Sequence, residues 1–421
     1  MRAWPFLVAA TIVAALVFYC ARAFDNDYVF FAGYVVLQFI VLATAWNILG
    51  GYTGYVNFGS AAFFALGAYS SVFFHKAYPL PIPALMVIGG VVSGIVGLGT
   101  GYLTLRLRGA FFAIATLALA VVLQTLIINW TYVGGARGAY VIRPNEIAIL
   151  GSYIQYLFLL MLVLAVIVIC TARLIERSRL GYGFATIRDD ELAAEACGVP
   201  TLRLKLIATT LSGAFMGMAG APFPYYIGYI EPSSAFGLAY AVNSIAMPMI
   251  GGTTTWIGPL IGAILLGLLQ QFATVTISSA VNLLIVGMLL VDFVIIAPNG
   301  IVGLIKERRT ASNVVVEPTV FVLLFALNFS PVYFLAGQGT GAQSIGLVFW
   351  LILAYVAYMR GRVLGRWWLI AFPLAGVLFA FAPVIAAIPV TAATFVSALL
   401  QIICVVCGLL PVRRPAEASA R

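Results

Sequence analysis

Residues 173–205 read RLIERSRLGYGFATIRDDELAAEACGVPTLRLK, a charged island in a chain that is otherwise almost entirely apolar. The island holds eleven of the 35 Lys, Arg, Asp and Glu residues, and apolar runs of membrane length flank it on both sides. A polar segment of this size between spanning helices must lie in water, because hydrocarbon offers its charges and backbone no partners. Its slight basic excess places it on the cytoplasmic side. Asp189, Asp190 and Glu191 stand where a helix begins, favourably placed for its positive end, and Leu192 to Cys197 are mostly good helix formers. Gly198 and Pro200 end the run. The centre, with Ala194 and Glu195 in its body, reads as a short helix offered to a soluble partner; a solvated charged loop with one helical turn fits the same residues.

Composition agrees with that frame. Of 421 residues, 63% are hydrophobic and 8% charged, with a mean hydropathy of +1.11. Soluble domains carry about a quarter charged residues, so this chain cannot hide its apolar surface in a water-soluble core. An all-α polytopic membrane protein is expected. The net charge of +9 would suggest nucleic acid in a soluble protein, but here the basic residues sit in short loops where they set orientation, and no nucleic-acid partner is expected.

About fourteen apolar runs approach the roughly 20 residues needed to cross the hydrocarbon. Ten cover 3–21, 28–49, 57–74, 84–105, 111–129, 147–172, 204–222, 238–251, 256–276 and 279–297. A linker at 306–318 precedes four more, near 319–336, 344–359, 367–387 and 390–411. With a cytoplasmic N-terminus, the inside loops collect Arg106, Arg108, the island, Lys306, Arg308, Arg309, Arg360, Arg362, Arg366, Arg413 and Arg414. The outside segments keep Arg22, Lys76, Arg137 and Arg143. This bias predicts both termini inside. Ala21-Arg22-Ala23 has the small-x-small form of a signal-peptidase site, yet the run before it exceeds the about 7 to 15 apolar residues of a signal sequence, so a retained first helix is expected.

Helices in lipid associate where small residues let backbones approach. Gly90 with Gly94, Gly97 with Gly101, Gly213 with Gly217 and Gly258 with Gly262 have that spacing. Two further glycine pairs, Gly50-Gly51 and Gly251-Gly252, interrupt spans in corresponding places and are followed by Tyr52-Thr53-Gly54-Tyr55-Val56-Asn57 and Thr253-Thr254-Thr255-Trp256. Matching interruptions point to a transport pathway, while two tight turns at the cytoplasmic face account for them equally. Polar residues within or beside spans are costly unless they face a cavity or a partner, which makes Gln38, Asn47, Asn57, Gln124 and Asn243 pathway candidates and, singly, candidates for interhelical hydrogen bonds. Asp292, near a span's cytoplasmic end, suggests local pairing before ion coupling.

No catalytic signature stands out. GxxxxGK[ST], HExxH and GxSxG are all missing, so any ATP must be used by a partner subunit, and neither cofactor nor metal is expected on this chain. Leu211-Ser212-Gly213 lies in an apolar span and suits helix packing. His75, the one histidine, reads as a surface residue beside Lys76; Cys404-Val-Val-Cys407 lacks any neighbouring ligand.

Six blocks stand in register with a known family: AWNILGGYTGYVNFGSAAFFALGAY (45–69), LRLRGAFFAIATLALAVV (105–122), SRLGYGFATIRDDELAAEACGVPTLRLKL (178–206), GYIEPSSAF (228–236), IGGTTTWIGPLIGA (250–263) and APNGIVGLI (297–305). Over about residues 30–305 the chain resembles the permease subunit of bacterial high-affinity branched-chain amino acid ABC importers. The resemblance implies a ten-helix, type II-like bundle over 1–305 in the bacterial inner membrane, surrounded by lipid. It also implies a homologous permease subunit, two ATPase subunits and a periplasmic solute-binding protein as partners. It makes Asp190 to Gly198 a coupling helix docked in a groove on the ATPase. Where relatives often carry a charged pair in the fifth span and an acidic residue in the eighth, this chain has Val121, Gln124 and Asn243, which suits a neutral or zwitterionic solute. The four spans in 319–421 have no counterpart in the family pattern. The outside segments 130–146 and 223–237, with Arg137, Arg143 and Glu231, are where the binding protein is expected to dock.

The expected function is therefore the membrane subunit of an importer for branched-chain or other hydrophobic amino acids. Urea, short amides and small aromatic acids stay open as substrates. An ion-coupled secondary transporter depending on Asp292, a channel and a structural scaffold are the competing classes.

Overall fold

The structure, a computed structural model, describes residues 4–23, 26–78, 80–104, 107, 109–141, 152–276 and 300–303. In chain order its elements are α1 (Trp4–Ala23), α2 (Asp27–Thr53), α3 (Ser60–Ala77), α4 (Ile82–Thr104), α5 (Ala110–Ile128), β1 (Ala139–Tyr140), α6 (Tyr153–Glu176), α7 (Arg179–Asp189) and α8 (Glu191–Ala196). After these come α9 (Thr201–Gly220), α10 (Phe223–Ile227), β2 (Tyr229–Ile230), α11 (Pro232–Ala235), α12 (Leu238–Gly251) and α13 (Ile257–Thr276). Among the described residues, six helical segments are long and apolar enough to cross a bilayer. The protein is an all-α polytopic membrane protein.

Helix α2 is the axis of the bundle. Asn26 caps it by accepting from the Tyr28 N–H at 2.9 Å, and Asp27 adds a negative charge to the first turn. Gly54, at φ 79°, stops it in the left-handed conformation that glycine adopts without strain. Every residue from Val36 to Thr53 is buried, as expected of a helix apolar on all sides. Its neighbours are α6, α9, α12 and α13.

Beside this axis α3, α4 and α9 pack backbone to backbone. A Cβ on Gly67 of α3 would overlap the Gly217 carbonyl of α9, and one on Gly217 would overlap Ser93 Oγ and the Gly89 carbonyl of α4. Ser93 Oγ–H in turn donates to the Phe63 carbonyl at 3.0 Å, replacing a lipid-side loss with an interhelical bond. Helices α12 and α13 meet in the same way, since a Cβ on Gly258 or Gly262 would overlap the carbonyls of Gly252 or Met247. The spaced small residues are thus contact surfaces. The outward faces of α4 and α5, with Val91, Ile95, Phe111, Ile114, Val122 and Leu126 more than half exposed, are left for lipid.

Three expectations change. The charged island is not one solvated loop: α7 buries Phe184 and Ile187 and packs against α2, α6 and α9, so its apolar residues anchor it to the bundle. Gly50 and Gly51 do not loosen α2, which continues as helix to Thr53; the interruption is the non-helical segment 54–59, and the next span starts at Ser60. His75 lies in the last turn of α3, with its Nδ1 2.9 Å from the Tyr225 hydroxyl. The spans proposed for 279–297 and 319–411, the linker at 306–318, Asp292, Arg106, Arg108 and Arg143 lie outside the described residues.

Substituting Gly217 by Val forces a side chain into the α4 backbone and should destabilise the solubilised protein by about 1–3 kcal/mol. Gly99, whose added Cβ meets nothing within 4 Å, should accept Ala with no loss. Thermal melts of the two variants against the parent protein check this contrast.

Candidate functional site

The charged island folds as an elbow. Ser178 caps α7 by accepting from the Leu180 and Gly181 N–H groups, and Asp190 caps α8 by accepting from Leu192 at 2.9 Å and Ala193 at 3.1 Å. The C-terminus of α8 closes around Gly198 at φ 82°, with its N–H on the Glu195 carbonyl and the Val199 N–H on that of Ala194. Glu195 Oε1 accepts from the Thr201 hydroxyl at 2.7 Å, tying the end of α8 to the start of α9. Ala194 is buried beneath. Asp190, Ala194, Glu195 and Gly198 therefore build the elbow, and its exposed residues include Arg188, Asp189, Asp190, Leu192, Ala193, Glu195, Ala196 and Cys197. Leu192 is 62% exposed, an apolar side chain at the tip of a polar hairpin.

Glu191 points inward. Lys205 Nζ donates to Glu191 Oε1 at 2.7 Å and to the Tyr55 hydroxyl oxygen at 3.2 Å, and the Tyr55 O–H donates to Glu191 Oε2. The side chains of Lys205 and Glu191 are only 4% and 11% exposed. A charge pair so far out of water requires close geometry and further hydrogen bonds to offset desolvation, and the Tyr55 hydroxyl supplies them. Tyr55 belongs to the 54–59 segment, and its ring packs edge-on against Phe112 of α5 at 5.1 Å.

That segment and its counterpart at 252–256 each contact the last turns of α2. The indole of Trp46 lies across Gly50, where a Cβ would strike the ring, and its N–H donates to the Asn57 carbonyl at 2.8 Å. Asn57 Oδ1 accepts from the Gly59 N–H at 2.7 Å, and the Phe58 N–H reaches Thr116 Oγ1 at 3.1 Å. Asn47 occupies the space over Gly51 and donates to the Thr255 carbonyl at 3.4 Å. In the second segment the Trp256 N–H is taken by Glu176 Oε2 at 2.8 Å, and the Arg173 guanidinium lies 3.6 Å from the Phe6 ring centroid and 5.3 Å from that of Trp256. Gly252, at φ 119°, ends α12. The paired glycines thus make room for Trp46 and Asn47, whose polar atoms satisfy backbone that the breaks release.

The pathway candidates divide. Asn47, Gly50, Gly51, Gly251 and Gly252 converge at the two breaks. Asn57 is buried and used by its own turn, so it organises the segment. Asn243 of α12 accepts from Gln270 of α13 at 2.9 Å, Gln38 is buried midway along α2, and Gln124 sits half-buried on α5, away from the breaks. On the opposite end, β1 pairs antiparallel with β2, so that Ala139 faces Ile230 and the segments carrying Arg137 and Glu231 lie side by side. The Tyr229 hydroxyl donates to the Arg137 carbonyl at 2.6 Å, and Glu231 Oε1 accepts from Ser233. No group of three metal-ligating side chains occurs among the described residues.

Sequence reasoning missed Tyr55, Trp46, Glu176 and the burial of Lys205. Lys205 gave one signal: it stands one residue inside the span proposed from 204, and an ionisable residue inside a span faces protein.

Over residues 28–294 the chain matches the family described as branched-chain amino acid transport system, permease component. It is 26% identical over 340 residues to the high-affinity branched-chain amino acid transport system permease protein LivM of Escherichia coli (strain K12), covering 74% of each chain. It is 25% identical to a probable branched-chain amino acid transport permease protein, LivH, of Methanocaldococcus jannaschii, over 60% of this chain and 84% of the relative. It is also 25% identical to the autoinducer 2 import system permease protein LsrC of Yersinia enterocolitica, over 41% of this chain and 49% of the relative. No solved structure matches the chain.

Trp46→Phe keeps a ring over Gly50 but removes the donor to the buried Asn57 carbonyl, which should destabilise the protein by about 1–3 kcal/mol. The local reading requires faster proteolysis within 54–59 as well as a lower melting temperature, measured on the same preparation.

Proposed function

The chain belongs to the family of permease components of branched-chain amino acid transport systems, and from that membership we propose that it is the membrane subunit of an ATP-driven importer for branched-chain or other hydrophobic amino acids. It works with a homologous permease subunit, two ATPase subunits that bind and hydrolyse ATP, and a periplasmic solute-binding protein. The setting is the bacterial inner membrane, with both termini and the elbow in the cytoplasm, as the distribution of Lys and Arg supports.

The observation that carries this reading is the elbow. It is a capped, self-contained helical hairpin rooted in the bundle through Phe184, Ile187 and Ala194, with an exposed leucine at its tip. A short helix presenting an apolar anchor fits a groove on a soluble protein. The two breaks at the foot of α2 are the inner gate of alternating access: both end spans on the elbow's face, and Asn47 of α2 donates to the Thr255 carbonyl of the second. Asn47, Asn243 and Gln270 give the route neutral hydrogen-bonding groups, which suit a zwitterion without a fixed ion pair. Arg137, Arg143 and Glu231 remain the proposed contacts for the binding protein; β1 and β2 hold together the segments that carry Arg137 and Glu231.

Leu192→Asp tests the reading with little risk to folding, because exposed substitutions change stability by about 0.5 kcal/mol or less. In proteoliposomes holding the whole complex, ATP-dependent uptake of leucine, isoleucine and valine should fall about tenfold or more, the effect of losing an interface anchor. Uptake that proceeds without ATP, or follows an ion gradient, would contradict an ATPase-driven importer; uptake of urea but not leucine would contradict the solute class.

A further inference from the structure

We propose that the buried Glu191–Lys205–Tyr55 cluster is the positioning device that couples the elbow to the inner gate. The inference rests on the importer reading above and adds to it which side chains carry the motion. The elbow is covalently continuous with α6 and α9 alone, yet the gate segment 54–59 connects α2 to α3. A ligand-driven movement of α8 reaches that segment only through side-chain contacts.

Such contacts come from Glu191, Lys205 and Arg188. Glu191 and Lys205 hold the Tyr55 hydroxyl from two directions, one from the first residue of α8 and one from the second turn of α9. The aliphatic part of Arg188, at the end of α7, lies against Gly54, where an added Cβ would meet its Cγ at 3.2 Å. The Lys205 ammonium also sits 4.8 Å from the Tyr55 ring centroid, so the tyrosine is gripped by ring and by hydroxyl. Toward α5 the segment borders a cleft of about 300 Å³ lined by Gly54, Tyr55, Val56, Gly109, Ala110 and Ala113. The segment is thus held by the elbow and, through Phe112 and Thr116, by α5, with open space beside it.

From Tyr55 the connections continue. Two residues on, the Asn57 carbonyl is held by Trp46; the next residue of α2, Asn47, and Gly51 one turn further meet Thr255 and Thr253 of the second break. A contiguous chain of packed and hydrogen-bonded groups thus runs from the elbow to both halves of the gate. The chemistry of the link favours a positioning role over a simple staple. Well-packed apolar residues join helices as firmly as a buried ion pair does, whereas the ion pair with its shared hydroxyl fixes one arrangement of three separate elements.

The decisive quantity is solute taken up per ATP hydrolysed, measured on the complete reconstituted complex for Lys205→Met and Tyr55→Phe. A merely structural role lowers the amount of assembled complex and leaves this ratio unchanged; a positioning role lowers the ratio, by about tenfold for Lys205→Met and less for Tyr55→Phe, within the range found for residues along coupling networks. Tyr55→Phe keeps the packing against Phe112 and decides the matter if Lys205→Met fails to assemble. The charge-exchanged double variant Glu191→Lys with Lys205→Glu should recover part of the ratio lost by either single exchange. A wild-type ratio in assembled Tyr55→Phe or Lys205→Met overturns the proposal. Absence of ATP-dependent uptake in the unsubstituted complex would instead overturn the importer reading on which it rests.

Discussion

Backbone N–H and C=O groups cannot stay unpaired at membrane depth, and this constraint organises the protein wherever its helices break. Ending α2 at Thr53 and α12 at Gly251 releases polar groups that no lipid can satisfy. In the segments that follow, four such groups are met by specific side chains: the Trp46 indole on the Asn57 carbonyl, Thr116 on the Phe58 N–H, Asn47 on the Thr255 carbonyl, Glu176 on the Trp256 N–H. Gly50 and Gly51 follow from the same need, since only a bare helix face admits Trp46 and Asn47 in those positions. The glycines are the consequence of satisfying the breaks and do not cause them.

The elbow is the second expression of this economy. Its caps are made by its own residues, Ser178 and Asp190 at the N-termini and Gly198 at the end, so its exposed side leaves no helix terminus open. Its one buried carboxylate, Glu191, is matched by Lys205 and Tyr55. Its exposed face mixes charge, at Arg188, Asp189, Asp190 and Glu195, with the apolar side chain of Leu192. Tertiary contact through Tyr55 and Arg188 then places the 54–59 segment directly against the elbow.

Much of this was legible in the sequence. Membrane-length runs, small-residue spacing and the Lys and Arg bias identify the spans, because each is a local property of a helix in lipid. The α8 helix was readable from the acidic start at 189–191 and the Gly198 stop. The burial of Lys205 and Tyr55 was not, since nothing in the chain's linear order says that residues 55, 191 and 205 meet. For the same reason Asn57 read as a pathway residue, whereas its side chain closes its own turn, and α7 read as solvated because four of its eleven residues are polar or charged enough to mask Phe184 and Ile187. The pairing of β1 with β2, which sets Arg137 beside Glu231, joins two-residue strands too short to leave a period.

Spin-label distances in the assembled complex test the central claim most directly, with one label on Cys197 of the elbow, one at exposed position 56 and one at exposed position 254. If the elbow and the gate segment move as one body, nucleotide binding leaves the 197–56 distance unchanged and alters the 56–254 distance. A change in 197–56 with 56–254 constant would mean that the elbow moves without the gate, and would contradict the account.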